Sequence, residues 1–143
     1  MFLKIKNIHS VGKRPKYSIQ MDETNLYKNN PNFIANDYIS KNSKHACVHK
    51  DSKVLTNEGY IPIKKLKKPC RIAYIDGDKK LRLTKKYIVH KTGKKKLYKV
   101  TTASGKEIIV SEDHKLFKQN RVQETIDCTE LKHIHIGDKI LVV

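Results

Sequence analysis

An all-β fold of many short strands is what this sequence predicts, and three observations carry it. Apolar and polar residues largely alternate over short runs, as in Phe2-Leu3-Lys4-Ile5-Lys6, Tyr17-Ser18-Ile19-Gln20-Met21 and Tyr98-Lys99-Val100-Thr101. Alternation of this kind turns one side of each run inward and marks half-buried strands. Turn-forming residues punctuate the runs at short intervals. Helical periodicity is confined to two short stretches, Ile63–Leu66 and Thr129–Ile134.

Taken in order, Phe2–Lys6 and Tyr17–Met21 open the chain as strands, and Phe33–Ile39 follows as one strand-like run. The polar stretch Lys41-Asn42-Ser43-Lys44-His45-Ala46 then marks a junction before a fresh start at Cys47. Beyond it, Asn57-Glu58-Gly59 separates Val54–Thr56 from Tyr60–Ile63. Asp76-Gly77 between Arg71–Ile75 and Leu81–Leu83 reads as a tight hairpin. Ser104-Gly105 does the same between Tyr98–Thr101 and Glu107–Val110. The architecture expected is a pseudo-symmetric sandwich or barrel rather than layers that include helices.

A chain of 143 residues forms one domain with a sizeable core and leaves no room for a second enzyme domain. No apolar run approaches the roughly 20 residues that cross a bilayer, and nothing at the start resembles a signal peptide. Cys47, Cys70 and Cys128 show no CxxC spacing. Their odd number points to a reducing, cytoplasmic setting rather than to a disulfide framework. Cys70 and Cys128 read as structural. The formal charge of +17 invites a nucleic-acid reading. Against it, the lysines fall in short groups spread along the chain, aromatic residues are few, and there is no Trp. A solvated basic surface is the reading preferred over a nucleic-acid partner.

Three blocks concentrate the chemistry of the second part. The first is Cys47-Val48-His49-Lys50-Asp51-Ser52-Lys53-Val54-Leu55-Thr56, with Gly59, Pro62-Ile63 and Leu66 after it. The second runs from Gly105 to Phe117 and contains Ser111-Glu112-Asp113-His114. The third is Ile134-His135-Ile136-Gly137-Asp138-Lys139-Ile140-Leu141-Val142. Together they resemble the N-terminal portion of an intein, a protein-splicing domain. They match its opening cysteine block, its Thr-x-x-His block and its Leu-x-x-Gly-Asp strand, with Ser111 and Ile134 in the Thr and Leu places. Residues 1–43 resemble the C-terminal portion: Tyr17-Ser18-Ile19-Gln20-Met21, Asn32-Phe33-Ile34-Ala35-Asn36 and terminal Asn42-Ser43. The resemblance covers nearly the whole chain with its two portions exchanged, as in a circularly permuted split mini-intein. It divides the chain into a C-intein-like segment 1–42, an extein-like linker 43–46 and an N-intein-like segment 47–143.

The resemblance implies the horseshoe-shaped Hint fold with pseudo-two-fold symmetry and an autocatalytic, single-turnover reaction without metal or cofactor. Cys47 would attack the Ala46 carbonyl, a role suited to a thiol because it is the best side-chain nucleophile near neutral pH. His114 would protonate the departing amine, and Ser111 would orient His114 or the scissile carbonyl. Ser43 would accept the acyl group, and Asn42 would cyclise to cut the bond before Ser43. Asp51, Lys41, Ser18 and Ala46 are supporting positions. The partners implied are flanking polypeptide and the association of the two pieces; no membrane partner is expected.

Each residue has a duller reading. A single Cys is usually a small buried apolar group, a His after two acids a surface turn, and Asn-Ser a loop. Their occurrence in two matched sets decides for the splicing reading. His133 and His135 alternate on one side of a strand-like stretch, but no third ligand accompanies them, so no metal is expected.

The chain departs from the family at three positions. Lys41 stands where His usually precedes the terminal Asn, Ser18 where Asp follows the strand Tyr, and Pro31 where a His usually lies near Asn-Phe. These departures bear on the Asn42 step more than on the first acyl shift. The exchanged order also places Ser43-Lys44-His45-Ala46 inside the chain, so full splicing would release a four-residue ring. A ring that small favours cis peptide bonds at about 2.5–4 kcal/mol each, so single cleavages or an intact chain are expected to dominate. The linker spans at most about 17 Å, enough to bridge two junctions in one active site. Residues 1–42 are net +4 and 47–143 net +12, so association of the two would rest on strand pairing and apolar burial. Three alternatives stand beside this reading: a related domain that cleaves without ligating, a basic β-barrel that binds nucleic acid, and an inert structural chain.

Overall fold

The computed structural model describes residues 1–21, 32–41, 47–67 and 70–143. They are all-β. Thirteen strands join one antiparallel sheet: β1 (Phe2–Met21), β2 (Asn32–Ala35), β3 (Tyr38–Lys41), β4 (Val48–His49), β5 (Lys53–Thr56), β6 (Gly59–Pro62), β7 (Ile72–Ile75), β8 (Leu81–Thr84), β9 (Tyr87–Thr102), β10 (Glu107–Ser111), β11 (Lys115–Asn120), β12 (Thr125–Glu130) and β13 (Lys139–Leu141). The two helix-like stretches shrink to single 3-10 turns, Ile63–Lys65 and Leu131–His133. Thr129 and Glu130 belong to β12 instead.

Not all strands are short. β1 runs for 20 residues and β9 for 16, and they pair along nearly their whole length, Ile5 with Thr102 at one end and Met21 with Tyr87 at the other. Three register shifts, between Ile5 and Asn7, Ser10 and Gly12, and Pro15 and Tyr17, let so long a pair bend and twist. Gly12 adopts φ 79 at one of these shifts, a conformation without a Cβ penalty only for glycine.

The run Phe33–Ile39 is likewise not one strand. Asn36 and Asp37 both have positive φ, 48 and 71, and fold it into the β2–β3 hairpin with Ala35 opposite Tyr38. Two left-handed residues in a two-residue loop suit the twist of the flanking strands, and Asn and Asp tolerate that region better than most. The side chain of Asn36 fixes the turn. Its Oδ1 accepts from the Lys53 amide at 2.8 Å and its Nδ2 donates to the Glu107 carbonyl at 2.9 Å.

The segments on either side of the junction share this sheet. β1 pairs with β13, β9 and β4; β2 pairs with β5; and β3 pairs with β11. One main core gathers residues from both, including Ile5, Ile19, Phe33, Tyr38, Val48, Val100, Ile108 and Leu116. β4 has only two residues, yet Val48 pairs with Tyr17 of β1 and with Val110 of β10. Because β10 also pairs with β9 and β9 with β1, β4 closes a ring of four strands. Cys47 enters the sheet at this closing strand.

Lysine runs far apart in sequence meet on the β1–β9 pair. Lys13 lies opposite Lys96, Arg14 opposite Lys95, and Pro15 opposite Lys94. The charge that reads as scattered along the chain is locally concentrated here.

Candidate functional site

Cys47 sits fully buried against the end of β10. Its amide donates to Ser111 Oγ at 3.0 Å, and its carbonyl accepts from the Ser111 amide at 2.9 Å. Ser111 thus clamps the Cys47 backbone from both sides. The Ser111 hydroxyl donates in turn to Asp113 Oδ1 at 2.6 Å, which leaves its lone pairs to face the Cys47 N–H. Lys95 of β9 donates to the other Asp113 oxygen at 2.9 Å. Burial works against the Asp113 charge, but these hydrogen bonds and the Lys95 ammonium hold its carboxyl below the usual range.

The chain turns at Ser111–His114, closed by the His114 amide donating to the Ser111 carbonyl at 3.1 Å. The turn carries His114 inward, where it is fully buried rather than part of a surface turn. Phe33 of β2 packs against it edge to face, with ring centroids 6.5 Å apart. Neither imidazole nitrogen has a hydrogen-bond partner among the described residues. Burial pushes His114 down to about 4, with the Asp113 charge opposing the shift only in part, so the ring is neutral near pH 7. A buried polar group left unpaired costs about 1–3 kcal/mol, which is why such groups are rare and cluster where chemistry needs them.

The end of β3 approaches the same turn. Ser40 pairs with Leu116, and the strands run antiparallel, so Lys41 lies on the His114 side of that pair. Lys41, the last described residue before the junction, and Cys47, the first after it, therefore both border Ser111–His114. Asn42, Ser43 and Ala46 lie outside the described residues.

The supporting positions are scattered by comparison. Ser18 is buried in β1 opposite His90, and its hydroxyl has no partner among the described residues. Asp51 is in an ion-pair cluster with Lys50 at 3.3 Å and Lys64 at 2.6 Å. Cys70 packs in the core, and Cys128 is half-buried in β12 with its thiol pushed up by burial. His133 and His135 are not on a strand: the first ends a 3-10 turn, and the second is exposed with its amide donating to Asp138 Oδ2 at 2.8 Å.

Two groups at the thiol and one beside Ser111 escape sequence reasoning. The Lys16 ammonium stands 3.6 Å from Cys47 Sγ, and the Thr92 hydroxyl 3.4 Å from it. Asp113 orients Ser111, and its position two residues beyond Ser111 was the available signal. Lys16 and Thr92 gave none, because their meeting depends on strand register.

No model of a known protein family matches this sequence, and neither does any curated protein.

Proposed function

We propose that this chain is a self-splicing domain of the intein type, with a horseshoe-shaped Hint architecture and its C-terminal portion placed ahead of its N-terminal portion. The observation that carries the reading is the convergence of Lys41 and Cys47, the residues bordering the junction, on the turn that holds Ser111 and His114. This supports a reading in which one set of groups serves both the Ala46–Cys47 and the Asn42–Ser43 bond.

In the first step the Cys47 sulfur forms a bond to the Ala46 carbonyl carbon. The bond from that carbon to the Cys47 nitrogen breaks, and the thiol proton ends on that nitrogen. The step is an isomerisation and needs no co-reactant. Ser111 holds the Cys47 backbone through the reaction. Neutral His114 accepts the thiol proton and returns it to the leaving nitrogen, as suits an imidazole whose nitrogens have no partner among the described residues. The Ser43 oxygen then bonds to the Ala46 carbonyl carbon, the carbon–sulfur bond breaks, and the hydroxyl proton ends on the released Cys47 thiol. The Asn42 side-chain nitrogen bonds to its own carbonyl carbon as the Asn42–Ser43 amide bond breaks, its proton passing to the freed Ser43 amine.

A cleaving, non-ligating outcome is favoured as the second reading by Lys41 and Ser18, which stand in place of groups that assist the Asn42 step. Strain in the four-residue ring favours it as well. The test is intact mass over time, with and without added thiol, beside Cys47→Ala and Asn42→Ala. Breaks after Ala46 that require Cys47, or after Asn42 that require Asn42, support autoprocessing. A mass constant at the full-length value in every sample overturns it, and recovery of a tetrapeptide ring overturns the strain argument.

A further inference from the structure

The register shift between Pro15 and Tyr17 lies beside the thiol. Pro15 is opposite Lys94 and Tyr17 opposite Lys91, so Lys16 alone faces two residues, Thr92 and Gly93. Gly93 takes φ 89, which lets β9 accommodate the extra residue. Such irregularities re-aim side chains. Here the Lys16 backbone stays paired with His49 of β4, while its ammonium reaches Cys47 Sγ at 3.6 Å. The Thr92 hydroxyl lies 3.4 Å from the same sulfur and 3.5 Å from the Lys16 carbonyl, tying the two strands together at this point. Lys16 makes no ion pair among the described residues, although Asp113 and Asp51 take lysines nearby. Its charge is directed at the sulfur instead.

We infer that Lys16 is a catalytic residue of the acyl shift, stabilising negative charge on the Cys47 sulfur, and that Thr92 positions that sulfur. The inference rests on the splicing reading above. As the thiol proton leaves, the ammonium offsets the charge that develops. The pair is half-buried, so the interaction is screened less than one in open water. Once sulfur has bonded to the Ala46 carbon it is neutral, and the ammonium no longer holds it. The attraction therefore favours the nucleophile and does not trap the product. The charged and titratable groups around Cys47 include Lys16 and Arg14 of β1, His49 of β4, Lys95 of β9 and, in the turn after β10, Asp113 and His114, with Lys50, Asp51 and Lys64 beside His49. Lys95 and Asp113 pair with each other, and burial shifts both histidines downward, His114 to about 4, with Asp51 opposing the shift of His49. Among the described residues, Lys16 is the cation whose ammonium contacts the sulfur.

The test uses the full chain with Lys16→Met, Lys16→Arg and Thr92→Val, and reads the rate of thiol-induced cleavage after Ala46 against pH. Lys16→Met is expected to slow cleavage about 10- to 100-fold near neutral pH, with the deficit closing as alkali supplies thiolate. Lys16→Arg should restore most of the rate, and Thr92→Val should slow it several-fold at every pH. A Lys16→Met chain that folds and cleaves at the parent rate across the pH range overturns the inference. If the parent itself never cleaves, the splicing reading fails instead. Lys16 is then tested by the rate at which Cys47 exchanges with a small disulfide, in a chain also carrying Cys70→Ala and Cys128→Ala. Slower exchange in Lys16→Met near neutral pH upholds its action on the sulfur, and equal rates overturn it.

Discussion

The Cys47 amide meets the Ser111 hydroxyl at 3.0 Å, and the Ser111 amide returns the contact to the Cys47 carbonyl at 2.9 Å. Both residues are fully buried, so water cannot replace either bond. Ser111→Ala leaves the Cys47 N–H without its acceptor and removes a donor from Asp113. The expected loss is about 1–3 kcal/mol, read from urea unfolding at neutral pH. Ser111→Thr keeps the hydroxyl and should recover at least half of that loss. Cleavage after Ala46 should follow the same order, slow in Ser111→Ala and near the parent rate in Ser111→Thr.

His114 makes stability depend on acid. Its imidazole is pushed down to about 4 in the fold, against about 6.5 for an unfolded histidine. Between those values the unfolded chain binds a proton that the native chain does not. Stability is therefore full above pH 6.5 and falls as pH drops toward 4, by about 3 kcal/mol from this group. Asp113, held below the usual range, adds a further loss at still lower pH. Urea unfolding of the parent and of His114→Leu at pH 7 and pH 4.5 checks this. The parent should lose far more stability than the variant over that interval, and a parallel loss would place the acid sensitivity elsewhere. The same variant should not cleave after Ala46.

What was legible in the sequence was whatever a few neighbouring residues determine. The turns at Asn57–Gly59 and Ser104–Gly105 appear where expected because Gly59 and Gly105 take φ 93 and 90. Cys47, Ser111 and His114 could be singled out because each sits in a block with its own spacing. The β2–β3 hairpin was missed because Asn36-Asp37 makes its turn without glycine. The length of β1 was missed because Gly12 and Pro15 interrupt the alternation exactly where the register shifts. Lys16 and Thr92 were illegible for a different reason. They are distant in sequence, and only the pairing register brings them to one sulfur.

The concentration of charge on the β1–β9 pair has a measurable cost. Lys13 lies directly opposite Lys96 with Lys94 nearby, and Lys13 makes no ion pair among the described residues. Like charges opposed across strands are destabilising, whereas opposite charges contribute roughly 0.2–1 kcal/mol. Lys13→Glu should therefore stabilise the chain by about 0.5 kcal/mol at low ionic strength. The gain should shrink with added salt, because screening shortens from about 30 Å at 0.01 M to about 3 Å at 1 M. Thermal unfolding at the two salt levels reads the difference, and a gain insensitive to salt would rule out the electrostatic account.

The β7–β8 hairpin differs from the tight Asp76-Gly77 turn that its sequence suggests. Ile75 pairs with Leu81, so five residues form the loop, and Asp76 organises them. Its Oδ1 accepts from the amides of Asp78 and Lys80, both at 2.9 Å, and its Oδ2 accepts from Arg82 Nε at 2.7 Å. The left-handed residue of the loop is Lys79, at φ 63, and Gly77 is not among the positive-φ glycines. A side chain in that region costs about 1–2 kcal/mol, of which the extra unfolded-state freedom of glycine offsets roughly 0.5–1 kcal/mol. Lys79→Gly should thus stabilise the chain by about 0.5–1 kcal/mol. Gly77→Ala, on an exposed residue with ordinary backbone, should change stability by less than about 0.5 kcal/mol. Urea midpoints of the two variants compare the positions directly. The reverse order, with Gly77→Ala the damaging change, would mean that the loop closes as the two-residue turn after all.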